Sequence, residues 1–246
     1  MMPDVIDQPS PNFNNRKGDG NINMIIAHYT GMKSAQAALF RLCDPTAEVS
    51  AHYMIDEDGE IYHLVANEKR AWHAGRSYWA GEKDINSCSL GIELANPGHE
   101  FGYRAFPEHQ IASFMDLCRE LAMVYRIPRY RILCHSDIAP GRKQDPGELF
   151  PWQRLYGSGI GFWPSADFRA NKAGRRYRAG DGGSEIRIIR ENFRKFGYQL
   201  TDTVDFDDEL TAVVIAFQRH WRQQKCDGVV DPETYAILLH LLDRLP

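Results

Sequence analysis

Met24-Ile25-Ile26-Ala27-His28-Tyr29-Thr30-Gly31 is the stretch from which the fold is read. Four consecutive apolar residues make a short buried strand, and His28 ends it. Ser89-Leu90-Gly91-Ile92-Glu93-Leu94 and Arg131-Ile132-Leu133-Cys134 are further strand candidates, the latter ending at His135. Between them, Pro107-Glu108 opens a helix whose Ile111, Phe114, Leu117, Leu121 and Val124 follow helical spacing, closed by Pro128. Upstream, 34–42 reads as a helix, and the alternation over 49–55 and 60–65 around Asp56-Glu57-Asp58-Gly59 predicts a hairpin. Strands and helices mixed in this way predict an α/β unit.

The two flanks differ in character. The first twenty or so residues are polar and rich in Pro, Asn and Gly, which predicts an extended arm. From Gly157 to Gly183 seven glycines mix with Arg169, Lys172, Arg175, Arg176 and Arg178, the composition of a mobile linker with a solvated charge run. Beyond it, 185–196, 208–221 and 232–242 are helix-sized segments. The predicted organisation is therefore a catalytic unit over 1–165, a linker over 166–183 and a small three-helix domain over 184–246.

Composition excludes several classes of function. A net charge of −4 over 246 residues gives no electrostatic case for nucleic acid as a partner. Cys43, Cys88, Cys118, Cys134 and Cys226 are odd in number and contain no Cys-x-x-Cys pair, which argues against a disulfide framework and against a cysteine-rich zinc site. No stretch approaches the roughly 20 apolar residues of a membrane span. Met1 to Asp7 has neither a basic start nor an apolar run, so a cytoplasmic protein is expected, or a cell-envelope one if a signal was removed or another export route is used.

The chemistry concentrates where strands end. His28 and His135 each terminate a strand, and open sheets place their sites beyond strand ends. Asp145 follows ten residues after His135. Two imidazoles and a carboxylate leave one position of a tetrahedral zinc open for water. Spacing alone leaves the alternative that these histidines are capping or core groups. Glu93 projects from a strand otherwise made of Leu90, Ile92 and Leu94, where it is either a proton acceptor beside the metal or a solvent-facing glutamate. Lys143 precedes Asp145 by two residues. In an extended segment the two point the same way, which would bring an ammonium to a developing oxyanion. Cys134 and Cys88 fall out of phase with His135 and Glu93, which weakens a thiolate reading. Trp72-His73 is either part of a sugar or peptide pocket or a packed tryptophan with a polar neighbour.

Taken together, 25–30, Ser50-Ala51-His52-Tyr53, Ala71-Trp72-His73-Ala74-Gly75, 89–94 and 135–143 resemble the type-2 N-acetylmuramoyl-L-alanine amidases, the family that includes the peptidoglycan recognition proteins. Five motifs in the family's order, over roughly residues 20 to 156, carry that resemblance. It implies a mixed central β-sheet flanked by helices, and a zinc held by His28, His135 and Asp145. Glu93 and Lys143 become the catalytic pair, and His52, Trp72, His73 and Asn96 the expected substrate contacts. The implied reaction is hydrolysis of the lactyl-amide bond between N-acetylmuramic acid and L-alanine in peptidoglycan or muropeptides. The alternative is a recognition protein that binds peptidoglycan without cutting it. Phe196-Gly197-Tyr198, 212–218 and 227–234 are similar to a peptidoglycan-binding three-helix domain.

Overall fold

In the computed structural model, residues 4–170 and 173–246 are described; Met1 to Pro3, at the head of the arm, and Lys172 of the basic run lie outside them. The strands are β1 (Ile6–Asp7), β2 (Phe13–Asn15), β3 (Met24–Tyr29), β4 (Tyr53–Ile55), β5 (Ile61–His63), β6 (Lys69–Ala71), β7 (Ser89–Leu94) and β8 (Ile132–Cys134). The helices are α1 (Ala35–Cys43), α2 (Ile85–Cys88), α3 (Gly98–Phe101), α4 (Glu108–Val124), α5 (His135–Ile138), α6 (Trp152–Gly157), α7 (Ser184–Phe196), α8 (Asp208–Trp221) and α9 (Pro232–Leu242). Six strands form a mixed sheet in the order β1-β5-β4-β7-β3-β8, parallel throughout except for the β4–β5 hairpin. β2 and β6 make a separate antiparallel ribbon.

Period-two alternation sorts the central strands onto two faces. Ile25, Ala27, Leu90, Ile92 and Leu94 join Ile111, Phe114, Leu117, Cys118 and Leu121 of α4 in one apolar cluster. Met24, Ile26 and Leu133, on the opposite face, join a different cluster that runs on into α7, α8 and α9. His28 follows Met24 and Ile26 in phase, and Glu93 pairs with it across β3 and β7. Both therefore leave the α4 side of the sheet at its carboxyl edge, the place where open α/β sheets keep their sites.

The hairpin and the long helices fall where periodicity places them. The strand expected over 49–55 is regular only at Tyr53–Ile55. Before it, Ser50 N–H donates to Trp72 O (3.2 Å) and His52 N–H to Gly91 O (3.0 Å), so the backbone is paired but not laddered. The arm is extended but not free: β1 adds an edge strand to the main sheet and β2 pairs with β6.

The glycine-rich stretch expected to be a mobile linker is instead laid along the helices on both sides of the two undescribed residues. Phe162, Trp163, Phe168 and Tyr177 pack on the core shared with α7–α9, and Tyr177 exchanges backbone hydrogen bonds with Val230 (3.0 and 2.9 Å). Aromatic anchors interleaved among the glycines decide the outcome, because each buries far more surface than a glycine frees. The helical module is likewise not a bead on a string. Trp79 of the amino-terminal unit meets Phe196 and Tyr198 edge to face (centroids 6.0 and 5.0 Å), and a Cβ on Gly197 would stand 2.6 Å from the Trp79 ring. At about 1.5–3 kcal/mol per uncovered apolar side chain, losing three such contacts is on the scale of a domain's whole stability, about 5–15 kcal/mol.

Candidate metal centre

β3 delivers His28 to the carboxyl edge of the sheet, the first turn of α5 delivers His135, and the loop after α5 returns Asp145 to the same point. All three are buried. Their ligating atoms form a nearly equilateral triangle: His28 Nδ1 to His135 Nδ1 2.9 Å, His28 Nδ1 to Asp145 Oδ2 3.1 Å, His135 Nδ1 to Asp145 Oδ2 3.0 Å. Donor atoms sharing one ion at ~2.0–2.1 Å stand roughly 3 Å apart. Two imidazole nitrogens this close cannot both carry protons, since their N–H groups would oppose one another.

The outward nitrogens explain why the inward ones are bare. His28 Nε2–H donates to His73 Nδ1 (3.0 Å), His73 Nε2–H to Ser89 Oγ (3.2 Å), and the Ser89 hydroxyl to Ile85 O (2.5 Å). A carbonyl only accepts, so the last bond sets the direction of the whole relay and leaves His28 Nδ1 as a lone pair. His135 Nε2–H donates to Ala74 O (3.1 Å), which frees His135 Nδ1 in the same way. Such partners hold ring and tautomer for a metal. The 73–74 turn that supplies both acceptors is pinned by Asn86, whose Oδ1 accepts from His73 N–H (3.1 Å) and Ala74 N–H (2.8 Å). Arg142 also donates to Ala74 O (2.6 Å).

Electrostatics agrees with this donor set. Burial, then the neighbouring His135, pushes His28 down to about 4, so it is neutral at pH 7. Burial opposes ionisation of Asp145, but the His135 and His28 rings outweigh it and hold the carboxyl well below the usual range. Two imidazoles whose outward nitrogens are engaged and one carboxylate, converging on one point, fit a divalent ion.

A cavity of about 590 Å³ opens onto this triangle, bordered by Trp72, His73, Glu93, His135, Lys143 and Asp145 among others. Two of its polar atoms, Glu93 Oε2 and Trp72 Nε1, are buried with no hydrogen-bond partner among the described residues. Burial, then the Asp145 charge, raises the Glu93 carboxyl well above its usual range, while Lys143 pulls it down. A carboxyl driven toward the proton-bearing form and facing a cavity suits proton transfer.

Residues 18–148 match the model of the N-acetylmuramoyl-L-alanine amidase family, and 182–238 that of a peptidoglycan binding domain. The N-acetylmuramoyl-L-alanine amidase AmiD of Escherichia coli is 35% identical over 237 residues, 91% of this chain and 83% of AmiD.

The chain belongs to the N-acetylmuramoyl-L-alanine amidase family.

The solved complex of AmiD with anhydro-N-acetylmuramic acid-L-Ala-D-gamma-Glu-L-Lys superimposes with a TM-score of 0.79 at 30% identity, covering 95% of this amidase and 98% of AmiD. AmpDh3 of Pseudomonas aeruginosa, solved with an anhydromuramic pentapeptide, gives 0.78 at 32% identity, covering 92% of this chain and 93% of that one. The mixed α/β sheet with a helical carboxyl-terminal part is thus the family's architecture.

The structure brings five of the nine residues singled out in the sequence, His28, His135, Asp145, Glu93 and Lys143, to one place and sorts the other four. Lys143 is exposed at the cavity, though its segment is a turn and not an extended strand, with Lys143 N–H donating to Ala139 O (3.0 Å). Trp72 is half-buried at the cavity wall. His52 and Asn96 are corrections, since neither borders the cavity. His52 is fully buried, its Nδ1 accepting from Gly91 N–H (3.0 Å) and its Nε2–H facing Lys69 O (3.1 Å). Asn96 holds the 96–104 loop, donating to Arg104 O (2.8 Å) and accepting from Gly98 N–H (3.0 Å). His73 borders the cavity, but both its ring nitrogens are engaged within the protein. Sequence reasoning missed Ser89, Asn86 and Arg142. One signal was present: Gly91 interrupts an apolar strand, and a Cβ there would lie 2.4 Å from His73 Cγ.

Proposed function

We propose that this amidase hydrolyses the bond between N-acetylmuramic acid and L-alanine with a zinc ion held by His28, His135 and Asp145, acting on peptidoglycan fragments. The observation that carries the reading is the 2.9–3.1 Å triangle of two bare imidazole nitrogens and a carboxylate oxygen, opening on a cavity. An N,N,O donor set with a free position suits catalytic zinc over softer or harder ions. Zinc there supplies Lewis acidity toward the lactyl carbonyl and the attacking water.

The chain's own groups carry the rest. Glu93 accepts the proton of the attacking water and passes it to the departing L-alanine nitrogen. Its raised proton affinity favours the first transfer, and its unpaired Oε2 is free to make both. Lys143 places an ammonium beside the carbonyl oxygen as negative charge develops there. Trp72 offers an apolar face and an unpaired N–H to the sugar or the peptide. The relay through His73 and Ser89 keeps His28 oriented throughout. Anhydromuropeptides of the kind seen with AmiD and AmpDh3 are the first substrates to test.

The decisive experiment is a muropeptide assay with mass analysis of the products, alongside metal content. Release of an intact sugar and a peptide beginning with L-alanine is expected from zinc-loaded protein. Cleavage within the stem peptide, or full activity after stripping of all metal, refutes the reading.

A further inference from the structure

We infer that the helical module is a working part of the metal centre, because α8 fastens both ends of the loop that carries His135 and Asp145, with His220 as the positioning residue. A wall-binding module needs only a tether to its enzyme. This one instead reaches the segment between the two ligands at three points and the chain just beyond Asp145 at a fourth.

At the head of that segment, His220 Nδ1–H donates to Asp137 Oδ2 (2.7 Å), with both side chains fully buried. The same oxygen accepts Cys134 N–H (3.0 Å), so Asp137 caps the turn on which His135 sits. Tyr198 OH, from the residue pair after α7, donates to Asp137 Oδ1 (3.3 Å). The His220 ring is held in plane between Trp152 of the amino-terminal unit (3.8 Å, 19°) and Trp221 (3.7 Å, 4°). At the tail, Arg219 donates to Gln144 Oε1 (3.4 Å), next to Asp145. Gln223 Nε2 donates to Glu148 O (2.8 Å) and Phe150 O (2.7 Å). Ser136 N–H to Asp145 O (3.1 Å) ties the two ends of the loop together.

The cluster of Cys134, Asp137 and His220 has donor types a metal could use. Its hydrogen bonds give it another role, since His220 presents a proton, not a lone pair, to Asp137. Groups that orient ligands from one step behind set metal affinity by about 10- to 100-fold. Fixing the loop before the ion arrives removes the cost of ordering it during binding.

The inference rests on the metal-centre reading, and its test separates the two. Full-length protein is stripped, then titrated with zinc against a chelator and with cobalt for the ligand-field spectrum. The variants are His220→Phe, which keeps the stacking, His220→Asn, which restores an N–H near Nδ1, and Gln223→Ala. Folding is checked by circular dichroism. In folded His220→Phe the zinc dissociation constant should rise about tenfold or more, with a changed cobalt spectrum and recovery in His220→Asn. Gln223→Ala, which releases the chain just beyond Asp145, should weaken zinc by a smaller factor than His220→Phe in the same titration. Wild-type affinity and spectrum in both folded variants overturn the inference while leaving the metal centre standing. Should His220→Phe not fold, unchanged affinity in Gln223→Ala overturns it alone. A wild-type chain that binds no zinc overturns both readings.

Discussion

Two clusters of buried ligating side chains adjoin at α5: His28, His135 and Asp145 beside the cavity, and Cys134, Asp137 and His220 against the helical module. Residue types barely separate them. The placement of hydrogen does. In the first, the outward Nε2–H of each imidazole donates to an acceptor, His73 Nδ1 or Ala74 O, and a lone pair is left to face inward. In the second, His220 turns its N–H toward the carboxylate, and its Nε2 has no partner among the described residues. One arrangement offers an ion three bare donors; the other is a closed hydrogen bond. A histidine beside an aspartate becomes a ligand or a latch according to what its far nitrogen can reach.

The contrast is broken most directly by counting ions. One zinc per chain is expected, none in Asp145→Ala, and amidase activity should vanish with it. Inductively coupled plasma analysis checks this, and two ions per chain would make the second cluster a metal site. Next in size, Glu93→Gln should lose about 10²–10⁴-fold in kcat while retaining its zinc, read by the same assay and metal analysis. Asp137→Asn, on the latch side, should instead lower stability by about 1–3 kcal/mol, measured by denaturant unfolding of metal-free protein. His73→Phe removes the acceptor for His28 and should weaken zinc about 10- to 100-fold, seen in a chelator competition.

The last test concerns pH. His28 is held at about 4 and His52 at about 3, each chiefly by burial, against an ordinary value of 6.5. In the unfolded chain both take up protons as pH falls below 6.5, whereas in the folded metal-free protein they resist. Stability is therefore greatest above pH 6.5 and is lost progressively as pH falls toward about 4 and below. Unfolding midpoints of stripped protein between pH 7 and 4 should decline accordingly. A flat profile would mean that neither ring is kept neutral by the fold.

Much of this was legible in the chain. Four apolar residues before His28, the strand around Glu93 and the spacing of Ile111, Phe114, Leu117 and Leu121 placed the sheet and its main helix, because local periodicity reports which face is buried. The motif order pointed to the family and to five residues that the fold brings together. Two readings went astray for one reason. His52 and Asn96 looked like site residues because they neighbour the site's motifs, yet contact depends on which backbone groups they meet. The stretch over 157–183 looked mobile because glycines were counted and the partners of Phe168 and Tyr177 were not visible.

By itself, then, the order of residues determined the strands, the long helices and the set of donors on offer. Only the tertiary structure decided that His28 and Asp145, 117 residues apart, stand 3.1 Å from each other, and that Ser89 and Ile85 O dictate a proton on His28 Nε2. It alone put His220 against Asp137, 83 residues away. Periodicity is a property of neighbours along the chain. The protonation of a buried ring is a property of neighbours in space, and the low-dielectric interior makes it too costly to be left to chance.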